Sequence, residues 1–234
     1  MSNPNAPELL FKEESLAVVG YHEEHVPNTF FRQTVSARHL AIILPGAGYS
    51  ARMPILYYTA SLFLERRADI LTVDYDYRSH ADRYAADFEE RLTENVTAAI
   101  REALGQRTYE QVTLIGKSIG TRAMSLFLAK DELGLNSAIK LKTVWLTPIW
   151  SDPKTFSFMK AWPGEALHII GSADQSCYSE ECEEQLIGAK NIRVLTIKNA
   201  DHSLDIDGDI TGSLNAVQAA VRGIEKFLFG SSKI

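Results

Sequence analysis

"VTLIGKSIGT", residues 112–121, holds two overlapping signatures with different chemistry. Gly116-Lys117-Ser118 is the end of a phosphate-binding P-loop. Gly116-Lys117-Ser118-Ile119-Gly120 is a Gly-x-Ser-x-Gly run around a nucleophilic serine. A P-loop also needs a glycine five positions before Gly116, so that successive backbone N–H groups can wrap the phosphates. Gln111 stands there, and residues 112–115 are Val-Thr-Leu-Ile, which belong in a strand. The phosphate reading fails on its own geometry. The serine reading fits its context, because an apolar strand over 112–116 runs into the motif and a helix is expected to begin near Ile119. A nucleophile elbow needs this strand–turn–helix order, which lifts the serine Oγ above the sheet edge. Gly116 and Gly120 omit side chains that would collide at the tight turn. The N–H of Ile119 then lies at a helix start, in a field that favours negative charge on a reacting carbonyl oxygen.

On either side of this stretch the chain alternates between two patterns. Apolar, β-branched runs occur at 39–46, 68–75, 111–118, 142–149 and 166–174, and a more alternating one at 192–200. Continuous apolar runs of this length fit strands covered on both faces, as in a parallel sheet. Helical patterns fill the gaps at 54–66, 81–104, from about 119, 178–188 and 213–229. In the second of these, Tyr84, Phe88, Leu92, Val96, Ala99 and Ala103 share one side. Ser213 is the expected N-cap of the last helix and Gly230 its stop. Residues 9–36 differ, reading as two amphipathic strands around "HEEHVPN", so an antiparallel edge is expected at the start of the sheet. The whole chain, 1–234, reads as one α/β domain with a mostly parallel central sheet, helices on both faces and no interdomain linker.

A serine hydroxyl attacks only when a base takes its proton, and the base is usually a histidine oriented by a carboxylate. On a sheet of this kind the chain order is serine, acid, histidine. Asp174 ends "HIIGSAD" just after a strand, and His202 sits in "NADHSLD" between the next strand and the last helix. Both positions fall at the carboxyl edge of the sheet, where open α/β proteins gather their sites. Asp152, after the preceding strand, is the rival acid. Asp201 and Asp205 are close enough in sequence to His202 to serve as loop bonds instead. The second oxyanion donor is expected from the loop after the first parallel strand, "LPGAGYS" (44–50). Ala47 is the expected donor and Tyr49 the alternative. Gly46 lets the backbone approach a substrate, and Gly46, Tyr49 and Trp150 are the expected substrate contacts.

Composition narrows the partners. The 234 residues are 45% hydrophobic and 23% charged with a net charge of −6, and the basic residues are scattered. Nucleic acid is not expected, because phosphate-backbone binding needs a basic face. The opening "MSNPNAPELL" lacks the charged and apolar regions of a secretory signal. No stretch reaches the ~18 apolar residues of a membrane span. The two cysteines, Cys177 and Cys182, are expected on different faces of a helix as free thiols, and a cytoplasmic home follows by default.

The pieces "LPGAGYS", "GKSIG", "GSAD" and "ADHS", spread over about 39–229, resemble the α/β-hydrolase superfamily. The modest length and short insertions resemble its compact esterase and dienelactone-hydrolase-like branch, with little or no lid. The resemblance implies a serine hydrolase using Ser118, His202 and Asp174, without metal or organic cofactor, acting on a small-molecule carboxylic ester or related acyl bond. Three departures leave the subfamily open. Pro45-Gly46 stands where many relatives have His-Gly, Thr121 follows Gly120 where many have a glycine pair, and Ser118 stands where dienelactone hydrolases usually carry cysteine. The alternatives are a binding protein that keeps the fold without turnover and an acyltransferase using the same nucleophile.

Other signals are weaker. "HEEH" (22–25) lacks the spacing of a zinc motif. "DIDGDI" (205–210) has its glycine too early for a calcium loop and Ala216 at the place of the bidentate glutamate. Lys117 reads as a solvated or salt-bridged lysine, or as a draw for anionic substrates. Residues 150–164 read as an irregular aromatic-rich connection, in which Trp150, Phe156 and Phe158 either pack in the core or line an acyl pocket.

Overall fold

The apolar runs become neighbouring strands. The computed structural model describes residues 10–75, 85–132, 134–135 and 139–230. Its eight strands are β1 (Phe11–Glu14), β2 (Asn28–Gln33), β3 (His39–Leu44), β4 (Asp69–Val73), β5 (Gln111–Lys117), β6 (Lys140–Leu146), β7 (Glu165–Gly171) and β8 (Ile192–Ile197). They form one sheet in the order β1-β2-β4-β3-β5-β6-β7-β8. From β4 to β8 every pairing is parallel, while β1 and β2 add the antiparallel edge that residues 9–36 predict.

Strand alternation sorts side chains between the two faces. In β3, Leu40, Ile42 and Leu44 enter one core and Ala41 and Ile43 the other. The first core is closed by α2 (Phe88–Leu104), α3 (Ile119–Lys130), α4 (Pro153–Ala161) and α5 (Glu180–Leu186). The second is closed by α1 (Pro54–Glu65) and α6 (Ile210–Phe229), through Ile55, Leu56, Phe63, Ala216, Ala220 and Ile224. The apolar side expected for 81–104 is the buried face of α2, except that Tyr84 lies outside the described residues.

The edge is pinned by a buried carboxylate. Asp69 is 0% exposed and accepts hydrogen bonds from the Gln33 N–H (2.8 Å) and the Tyr109 hydroxyl (2.8 Å), with Arg107 at 3.2 Å. Burial and this carboxylate both push the Tyr109 phenol upward.

Three expectations need correction. The connection at 150–164 contains a helix, α4, because Pro153 starts its first turn and Thr155, Phe156 and Met159 form a buried side. The last helix begins at Ile210 with Asp209 as its cap, accepting from the Gly212 N–H at 2.8 Å. Ser213 lies inside, its Oγ accepting from the Ile206 N–H. Cys177 lies in the turn before α5 and Cys182 within it, and both are free thiols.

Candidate active site

Ser118 joins β5 to α3 with φ 53° and ψ −119°. Such a conformation costs a non-glycine residue on the order of 1–3 kcal/mol and persists only where neighbours fix it. Here the Ser118 N–H donates to the Leu146 carbonyl (3.0 Å), and its own carbonyl accepts from the Thr121 N–H (2.8 Å) and hydroxyl (2.6 Å). Thr121, a departure from the family pattern, is thus a brace of the turn. A Cβ on Gly120 would stand 2.0 Å from the Leu44 carbonyl oxygen, and one on Gly116 2.6 Å from the Gly120 oxygen. Both glycines are fixed by close approach.

Asp174 follows β7 in a turn whose Ala173 N–H donates to the Ala200 carbonyl (2.9 Å), which ties it to the histidine loop after β8. That loop is organised by Asp201, whose Oδ1 accepts from the N–H groups of Ser203 (2.7 Å) and Asp205 (2.9 Å). Asp152 instead stands before α4, accepting from the Thr155 hydroxyl. The three residues singled out from the sequence meet. The Ser118 Oγ lies 2.8 Å from His202 Nε2, and His202 Nδ1 lies 2.6 Å from Asp174 Oδ2. The other Asp174 oxygen accepts from the Ser176 hydroxyl (2.8 Å) and N–H (3.2 Å).

The electrostatics follow from these bonds. Burial opposes ionisation of Asp174, but the bonds from His202 and Ser176 outweigh it and hold the carboxyl below its ordinary value. Burial would likewise lower His202, yet its bonds to Asp174 and to the Cys177 thiol raise it to about 9. Asp174, Cys177 and His202 each offer an atom within 4.8 Å of the others, the composition of a metal site. Two ligands at ~2.0 Å on a tetrahedral zinc stand roughly 3.3 Å apart. The 2.6 Å between Nδ1 and Oδ2 therefore fits a shared proton and not an ion.

The loop after β3 closes the other side. The Gly46 N–H donates to the Tyr49 carbonyl (3.1 Å) and the Tyr49 N–H to the Gly46 carbonyl (3.3 Å). Tyr49 has thereby used its amide. The Ala47 N–H has no backbone acceptor among the described residues, and the Ile119 N–H opens α3, where helices leave such groups unpaired. A Cβ on Gly46 would come within 3.4 Å of the Ser118 Cβ, so the loop lies against the serine. A cavity of about 410 Å³ opens here, lined by Gly46, Ala47, Tyr49, Met53, Asp74 and Tyr75. Trp150, expected among the substrate contacts, is a core residue, 2% exposed, with its ring against Phe156, His168 and Tyr178.

Two neighbours escaped the sequence reading. Lys117, which the sequence leaves as a solvated or salt-bridged lysine or a draw for anionic substrates, is 1% exposed with its ammonium beneath the histidine loop. Strand alternation was the available signal, since 113, 115 and 117 share a face. The Cys177 thiol, buried against the imidazole, had no sequence signal beyond its closeness to Asp174.

The chain belongs to the α/β-hydrolase family: residues 37–228 match the family model described as an alpha/beta hydrolase domain. No curated protein sequence matches it. Its fold is similar to that of a protein of unknown function from Agrobacterium tumefaciens (18% identity, 94% of this chain and 97% of that one, TM-score 0.68). It is also similar to an α/β serine hydrolase without lid from Xanthomonas campestris (15%, 98% and 100%, 0.63). A third similar structure is a dienelactone hydrolase from Anabaena variabilis (15%, 92% and 98%, 0.66). Among the described residues no helix is long and apolar enough to cross a membrane.

Proposed function

We propose that the protein is a serine hydrolase that cleaves a carboxylic ester or related acyl bond of a small molecule. The observation that carries this reading is the unbroken relay from the Ser118 Oγ through His202 to Asp174, at 2.8 and 2.6 Å. In this mechanism His202 Nε2 takes the hydroxyl proton as Oγ bonds to the acyl carbon. Asp174 fixes the imidazole with Nδ1 protonated and stabilises the imidazolium that forms. The N–H groups of Ala47 and Ile119 donate to the carbonyl oxygen as it gains charge. The imidazolium then gives its proton to the leaving oxygen, and the acyl group stays on Ser118. Water enters, His202 takes its proton, and the same steps in reverse order release the acid.

Family membership and the serine hydrolase among the similar structures support the reaction class. The site is open to solvent on the imidazole side, with His202 35% exposed, which supports a small or loosely held substrate. The cavity beside the oxyanion loop supports Gly46 and Tyr49 as substrate contacts. A fluorophosphonate probe should label Ser118, Ser118→Ala should remove the label, and a screen of p-nitrophenyl esters and thioesters should find turnover. Labelling that persists in Ser118→Ala refutes the assignment.

A further inference from the structure

Lys117 precedes Ser118 and is 1% exposed, yet the acyl-transfer steps do not use it. Strand alternation sends its side chain to the α1/α6 side of the sheet, where it ends between three loops. Its Nζ donates to the His202 carbonyl (2.8 Å) and to the Thr147 hydroxyl (2.9 Å), and it sits 4.4 Å from the centre of the Tyr49 ring. An ammonium has three N–H groups, and an aromatic face is an acceptable third partner. One side chain on the nucleophile elbow therefore holds the histidine loop, the end of β6 and the oxyanion loop together.

We propose that Lys117 is a positioning residue that sets His202 and the oxyanion loop against Ser118. The inference rests on the triad reading above. The charged groups facing Lys117 are Asp174, Asp201 and Asp205, with Cys177, His202 and Tyr49 completing its titratable surroundings. Burial lowers the ammonium to about 8 against the pull of the carboxylates. Its charge in turn lowers His202, opposing the rise that Asp174 causes. A lysine that only filled space would not lower the acyl-transfer rate at unchanged KM.

The experiment measures fluorophosphonate labelling rates, and kcat and KM separately on p-nitrophenyl acetate, with the full chain. Lys117→Met removes the charge and both donated bonds. It should label fully at Ser118 but about 100-fold more slowly, the usual effect of ångström-scale misplacement. KM should be little changed. Lys117→Gln keeps a donor, so it should regain part of the rate. Thr147→Val loses one partner of the ammonium, so its rate should fall about 10-fold, the worth of one such bond. That variant carries the test if Lys117→Met does not fold. A folded Lys117→Met of wild-type rate overturns the proposal, as does a Thr147→Val of wild-type rate. Wild-type protein that the probe does not label at Ser118 overturns the hydrolase reading first and removes the basis of this one.

Discussion

Asp174 and His202 share a 2.6 Å hydrogen bond in which the carboxylate is 1% exposed and the imidazole 35%. The buried partner gains most from an opposite charge, and the exposed one can still exchange protons with water. Burial of the imidazole works against its charge, but the bond to Asp174 outweighs it and lifts His202 to about 9. A general base acts only when neutral, so the working form dominates above that value. With His202 as the proposed base, kcat/KM on an activated ester is expected to climb with pH through a midpoint near 9 and level off only above it. Asp174→Asn removes the charge that holds the imidazolium, so the midpoint should drop and the rate should fall about 10⁴-fold. Stopped-flow rates over the alkaline range check this, and a profile already flat at neutral pH contradicts it.

Of the two expected donors, the pairing of Gly46 with Tyr49 occupies the Tyr49 N–H and leaves that of Ala47 without a backbone acceptor among the described residues. Ala47→Pro deletes that N–H and should cost about 2.7–4 kcal/mol of transition-state stabilisation, or roughly 10²–10³ in kcat. KM should change little. Tyr49→Phe is the informative companion. The Tyr49 hydroxyl accepts from the Ile55 N–H at the start of α1 (3.1 Å) and plays no part in the pairing. Its loss should cost about 1 kcal/mol in stability and leave kcat near wild type. Steady-state kinetics and urea melts on the two variants separate the roles.

What the sequence makes legible is what strand burial makes obligatory. Runs such as 39–44 and 112–116 are apolar at every position because both faces are covered, so the parallel sheet announces itself. The order Ser118, Asp174, His202 is readable because each follows a strand and arrives at the same sheet edge. Less was readable where short-range chemistry competes. The α4 helix hides behind Trp150, Phe156 and Phe158, whose bulk suggests a pocket, although Pro153 marks its first turn. Asp209 and Ser213 are both good caps, and only the 2.8 Å bond to the Gly212 N–H separates them. The burial of Lys117 is not legible because lysines are rarely buried and its partners come from loops remote in sequence, at Thr147 and His202.

Asp69 holds the antiparallel edge through the Gln33 N–H, the Tyr109 hydroxyl and Arg107. Asp69→Ala would leave the Tyr109 hydroxyl, the Gln33 N–H and Arg107 without their carboxylate. Breaking a buried charge pair from one side costs about 3–5 kcal/mol. Chemical denaturation should register that loss, while labelling of Ser118 in the folded fraction should continue, since the edge lies two strands from β5. A stability change under about 1 kcal/mol would fit a surface-type ion pair and contradict the role assigned to Asp69.

Two histidines set opposite arms of the stability profile. His168 is 0% exposed, and burial lowers it to about 3. Its Nδ1 accepts from the Trp150 indole N–H (3.4 Å), which suits the neutral ring. An unfolded histidine titrates near 6.5. Below that value the unfolded chain takes a proton that the native ring refuses, so stability falls with pH, by about 1.4 kcal/mol per pH unit, or about 2 kcal/mol at pH 5. His39, lowered to about 4 mainly by burial, adds to the same arm. His202 works the other way. Its raised value means that its contribution is fully present below about 6.5 and is lost as pH rises through about 9. Maximum stability is therefore expected near the ordinary histidine value. Urea midpoints on both sides of it should show His168→Gln flattening the acid arm and His202→Ala flattening the alkaline arm. An acid arm of unchanged slope in His168→Gln would remove His168 from the account and leave the slope to His39 and the carboxylates.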